Sequence, residues 1–141
     1  MEPVLCALDF SVDSSDVVQV AFDNARQKGS HLIVLHAYRL MPQSSDIAKY
    51  RKTIEQTART NFDKILEALH IIESVPYEFR AEIGFLTDRI EAVTRQHPVS
   101  MIVMGQQLAK SFNDHKGISL QQFMDTTNVP VLIVPEHKKH A

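Results

Sequence analysis

Short apolar runs alternate along the chain with longer stretches in which apolar positions recur every three or four residues. Val4 to Leu8 is a continuous apolar run and predicts a first strand. Ser11, Asp13 and Ser14 then offer N-cap oxygens to a helix carrying Val17, Val18, Ala21, Phe22 and Ala25 on one face, with Gly29 placed as its C′ residue. His31 to Tyr38 predicts a second strand, apolar on both faces through Leu32, Ile33, Val34 and Leu35. A loop after Pro42 leads to the longest helix, about Ser45 to His70, with Ile47, Tyr50, Ile54, Ala58, Phe62, Ile65 and Leu69 as its apolar stripe. From Pro76 to Ile83, Tyr77, Phe79, Ala81 and Ile83 alternate with Glu78, Arg80 and Glu82, the pattern of an edge strand with one wet face.

Gly84 turns the chain into a helix with Leu86, Ile90 and Val93 inward, which stops near His97 because Pro98 disfavours helix in the residue before it. Met101 to Met104 is an apolar fourth strand closing on Gly105, and Gln106 to Gly117 reads as polar and irregular. Ser119 is placed to cap a last short helix with Leu120, Phe123 and Met124 inward, and Val131 to Val134 is a fifth strand between Pro130 and Pro135. Strands alternating with helices imply right-handed βαβ crossovers and a parallel sheet covered on both faces, a doubly wound α/β domain spanning residues 1–141. Ligands of such sheets bind outside the carboxyl ends of strands where the strand order reverses. That directs attention to Asp9 to Ser14, Ala37 to Arg39, and Gly105 onward.

Charge and cysteine content narrow the function classes. With 15 Lys and Arg against 17 Asp and Glu in 141 residues, the chain lacks the basic excess that phosphate backbones demand, so no nucleic-acid partner is expected. Its single cysteine, Cys6, permits no internal disulfide and no two-cysteine metal motif, and an intracellular, cytoplasmic setting is expected. No leader-like segment and no long uninterrupted apolar run is present, so neither export nor membrane association is expected.

Three separated blocks carry a resemblance: Val4-Leu5-Cys6-Ala7-Leu8-Asp9-Phe10-Ser11, then Leu35-His36-Ala37-Tyr38, then Ile102-Val103-Met104-Gly105 with the close Val129-Pro130-Val131-Leu132-Ile133-Val134-Pro135. In this order and spacing the chain resembles the universal stress protein family from end to end. The resemblance implies a Rossmann-like three-layer α/β/α domain with a five-stranded parallel sheet in the order 3-2-1-4-5. It also implies an adenine-nucleotide site in those members that bind ATP, which on this sequence falls at Asp9, Ala37, Met104, Gly105 and Ser119.

The ATP-binding members carry a loop of the form Gly, two residues, Gly, nine residues, Gly, then Ser or Thr. Here Gly105 and Ser119 match its two ends, but Leu108 stands at the second glycine and Ile118 at the third, with Gly117 one residue early. A branched side chain costs about 1–2 kcal/mol in left-handed geometry and occupies the space a phosphate would take. Loss of two charge-assisted hydrogen bonds would lower affinity by roughly two to four decades. The expectation is therefore a weak or vestigial nucleotide site and no cofactor; the alternative is an ATP and magnesium site acting as a switch or slow ATPase. Ser119 reads either as an ordinary N-cap or as the start of an anion-accepting helix aided by Lys110, His115 and Lys116. Asp9 reads either as an acceptor for adenine, as the resemblance implies, or as a carboxylate supporting the turn into the first helix.

Other chemistry is sparse. His31 and His36 differ by an odd number of strand positions and leave opposite faces, His137 and His140 lie past the last strand, and no metal site is expected. No nucleophile elbow, Walker loop or Cys-His pairing occurs, so no catalysis is expected. Cys6 reads as a buried core residue. The family's sheet order makes Val131, Leu132, Ile133 and Val134 an uncharged apolar edge, and a second copy of the chain is its economical cover. The resemblance implies the same antiparallel pairing, so a homodimer through this strand is expected; further protein partners are not identified by the sequence.

Overall fold

The computed structural model describes residues 2–39, 46–71, 75–112 and 119–136. In chain order the elements are β1 (Val4–Ala7), α1 (Ser14–Lys28), β2 (Leu32–Tyr38), α2 (Ile47–Ala68), β3 (Tyr77–Ile83), α3 (Leu86–Gln96), β4 (Met101–Gly105), α4 (Gln106–Ser111), α5 (Leu120–Thr126) and β5 (Val131–Val134). The strands form one parallel sheet in the order β3-β2-β1-β4-β5, as the resemblance implied. Both β3 and β5 are edges, and the order reverses between β1 and β4.

Strand parity divides the core in two. Val4, Cys6, Leu8, Leu32, Val34 and Val103 pack with Val17, Val18, Ala21 and Phe22 of α1 and Phe62 of α2. Leu5, Ala7, Ile33, Leu35, Ile102 and Met104 point to the other face, with Ile90 and Val93 of α3, Leu108 and Ala109 of α4, and Phe123 of α5. Central strands apolar at every position are the consequence of having both faces covered. Each fully buried Phe22 or Phe62 side chain supplies about 2–3 kcal/mol of transfer free energy.

Helix ends follow local chemistry. Gly29, at φ 62°, closes α1 in left-handed geometry with its N–H on the carbonyls of Ala25 and Arg26, as expected of a C′ glycine. Extended backbone at His97 ends α3 ahead of Pro98. Asp46 caps α2 by accepting from the Lys49 N–H. At the carboxyl end of β2 the Tyr38 phenol donates to Glu55 of α2, and burial and that carboxylate hold the phenol above its ordinary range while Arg51 opposes them.

Four sequence expectations change. The stretch read as irregular from Gln106 begins with a helix, α4, because Leu108, Ala109 and Phe112 share a face that fills the space beside β4; its polar residues hid that period. Ile47 is 56% exposed, since the 22-residue α2, about 33 Å long, overhangs the seven-residue β3, about 23 Å. Met124 is also exposed: α5 has only two turns, and it packs through Phe123, which lies 100° away around the helix axis. The face of β3 read as wet is partly covered, because Arg80 bonds Glu78 at 2.7 Å and reaches Gln96 and His97 at the C-terminal end of α3.

Candidate functional site: the carboxyl ends of β1 and β4

Where β1 ends, the chain must leave the sheet and enter α1 within a few residues. Phe10 takes φ 60°, and Asp9 accepts from both the N–H and the hydroxyl of Ser11, at 3.1 and 2.7 Å. The carboxylate of Asp9 thus supports the turn, one of its two expected roles. Ser11 Oγ also lies 2.6 Å from Asp13 Oδ1, so a single hydroxyl proton is shared between two carboxylates.

Asp13, a cap candidate in the sequence, takes a different place. It makes no side-chain capping bond to α1; instead it is 5% exposed, and its Oδ2 is buried without a partner. The neighbouring Ser14 Oγ is likewise buried and unpaired. Asp13 Oδ2 sits against Gly105, where an added Cβ would lie 2.9 Å from it and 2.9 Å from Val17 Cγ2. Its place four residues after Asp9 with Ser11 between was the available signal, but the contact with Gly105 spans too much chain for any local pattern to show.

The predicted residues are only partly brought together. Gly105 and Asp9 lie at the same end of the sheet, because β1 and β4 are neighbours, and they are linked indirectly: Asp13 stands against Gly105 and shares the Ser11 hydroxyl with Asp9. Ala37 lies half-buried near the carboxyl end of β2, the neighbour of β1, and His36 next to it places Nδ1 2.9 Å from the Leu8 carbonyl, which only accepts, so this nitrogen carries the proton. Met104 is fully buried within the core and spends its side chain there. Ser119 is consumed locally: its hydroxyl accepts from Gln122 N while the Gln122 side chain accepts from Ser119 N, a capping box for α5. Its N-cap reading is thus the one realised. Leu108, at the second glycine position, is a buried residue of α4. Gly117, Ile118, His115 and Lys116, and also His137 and His140, lie outside the described residues.

Among the described residues no group of three or more His, Cys, Asp or Glu side chains could hold a metal ion. Cys6 is buried on β1, and burial pushes its thiol up to about 12. No helix among the described residues is long and apolar enough to cross a membrane.

A parallel sheet whose order reverses beside a glycine-ended strand, with carboxylates gathered on the opposing turn, defines a doubly wound α/β protein of the Rossmann-like class. The family model described as the universal stress protein family matches residues 1–135, and the chain belongs to that family. Solved structures agree on the fold. A universal stress family protein from Burkholderia pseudomallei superposes with a TM-score of 0.70 at 19% identity, covering 96% of each chain. A universal stress protein in complex with cAMP gives 0.67 at 21% identity, covering 94% of this chain and 96% of that one. One from Archaeoglobus fulgidus in complex with dAMP gives 0.65 at 17%, covering 95% and 98%. No curated protein matches the chain.

Proposed function

We propose that this protein is a homodimeric regulatory or interaction module of the cytoplasmic stress response, without catalysis of its own and without tight ATP binding. One observation carries the nucleotide part: Gly105 opens directly into α4, whose Leu108 is packed in the core, and the carboxylate of Asp13 stands against Gly105. A phosphate chain needs bare N–H groups and positive charge, and both the side chain and the carboxylate oppose it. Calorimetric titration with ATP and magnesium is expected to show no binding below about millimolar concentration. Micromolar binding, or adenine nucleotide released from the denatured protein, would sink this reading.

A second reading, an adenine-nucleotide switch or slow ATPase, is favoured by the relatives in complex with cAMP and dAMP. Parallel titrations with cAMP and AMP separate it from the first, because a monophosphate makes fewer demands on the stretch after Gly105.

Dimerisation is proposed through β5. Its Leu132 is 38% exposed on an uncharged edge, and Val131 and Ile133 are half-buried. Such an edge favours pairing with a second strand, and Pro130 and Pro135 confine that pairing to the four residues of β5. Leu132→Lys is expected to move the sedimenting species from dimer to monomer. An unchanged dimer would remove β5 from the interface, and a monomeric parent protein would remove the dimer altogether.

A further inference from the structure

A groove of about 760 Å³ runs between α3 and the connection from α5 to β5. Buried Ile90, Val99 and Phe123, with half-buried Val129, form its apolar floor at the outer edge of the second core. The lining begins at Phe85, ahead of α3, and reaches Pro98, beyond its end, so the groove follows the 11-residue helix over about 16 Å. An extended segment of about five residues spans that length.

Charge identifies the occupant. Among the described residues no lysine or arginine lines the groove, whereas Asp88 and Glu91 both stand on the α3 wall. Asp88 is exposed and, among the described residues, engages no hydrogen bond or ion pair, and the side chains of Thr87, Thr127 and Asn128 are also unengaged. Glu91 pairs with Arg95 at 2.9 Å, but both side chains are more than half exposed, 62% and 72%, so the pair is weak and open to exchange. Phe85 is 39% exposed at the mouth, with the Arg39 guanidinium on its ring.

An apolar floor, unengaged donors and acceptors on both walls, and an acidic wall with no lysine or arginine among the described lining residues together recognise one kind of chain. We propose that the groove between α3 and α5 is a docking site for a short basic segment of a partner protein, its apolar side chains on the floor and its cationic side chains toward Asp88 and Glu91. Asp9, Asp13 and Gly105 do not line it, so this site stands independently of any nucleotide bound at the switch point.

The test is a nuclear magnetic resonance titration of the isotope-labelled protein with the capped pentapeptide Ile-Lys-Phe-Arg-Leu. Saturable, sub-millimolar shifts centred on Thr87, Asp88, Glu91, Thr127 and Asn128 are expected, weakening as salt rises. Asp88→Lys combined with Glu91→Lys is expected to weaken binding at least about tenfold with the helical signal unchanged. On the parent protein, equal binding by the peptide with Glu in place of its Lys and Arg would overturn the proposal without any variant. So would shifts elsewhere, no shifts, or the same residues saturating with spermidine, which would make this a small-cation site. Concentration-dependent self-association abolished by Asp88→Lys would assign the groove to a second copy of the chain, and would likewise overturn it.

Discussion

Gly105→Ala is expected to destabilise the protein by about 1–3 kcal/mol, the usual cost of overpacking a tight site. For a domain of this size that is a fall of roughly 4–12 °C in Tm by calorimetry. Gly105 has φ −81° and ψ 161°, extended backbone open to any residue, so the cost is steric and not conformational. The added Cβ would lie 2.9 Å from Asp13 Oδ2 and 2.9 Å from Val17 Cγ2, and both partners are held by the start of α1. Asp13→Ala removes one of the two collisions together with a buried oxygen that has no partner. The double variant Gly105→Ala with Asp13→Ala is therefore expected to be more stable than the sum of the two single changes by about 1 kcal/mol, a coupling read from a double-mutant cycle. Strict additivity would show that the helix start yields freely and that Asp13 does not press on Gly105.

The second large effect is alkaline. Cys6 lies wholly buried on the central strand, and burial pushes its thiol from 9.0 up to about 12. A raised folded-state pKa favours the protonated form, so its contribution is fully present below pH 9 and is lost as pH rises toward 12. Over the whole window that loss is about 4 kcal/mol, with about 2 kcal/mol already gone at roughly pH 10.5. Urea midpoints at about pH 8 and pH 10.5 should reveal it, and Cys6→Ala should show a drop smaller by about 2 kcal/mol, the tyrosines and lysines titrating equally in both proteins. Parallel curves for the two would mean that the thiol ionises without unfolding the chain. At neutral pH the native protein is expected to leave a thiol reagent unreacted, and the denatured chain to consume one equivalent.

Both effects arise at residues whose importance differs in visibility. Cys6, inside an apolar run, was recognisable as core from its neighbours alone, since a strand covered on both faces excludes water at every position. Gly105 was recognisable as the end of a strand and, through the family resemblance, as part of a nucleotide site. What presses on it was not, because Asp13 read as a helix cap and its side chain turns instead toward β4. Ser119 behaved as its local sequence dictates, since a capping box needs only residues three apart. Leu108 was visible as a departure from a glycine pattern, but its burial was not, because Gln106, Gln107, Lys110 and Ser111 surround the apolar residues of α4 with polar ones.

By itself the sequence determined the alternation of strands and helices, the two-faced burial of β1, β2 and β4, the edge character of β3, and the caps at Gly29, His97 and Ser119. Each of these depends on interactions within a few residues or on the requirement that a repeating apolar face be covered. The tertiary structure alone decided that α4 follows Gly105 without a loop, that the first turns of α2 overhang the sheet, that Asp13 closes on Gly105, and that a groove with acidic residues on one wall opens beside α3. Those features come from the meeting of side chains distant in sequence, where shape and unpaired charge are settled by packing and no local period records them.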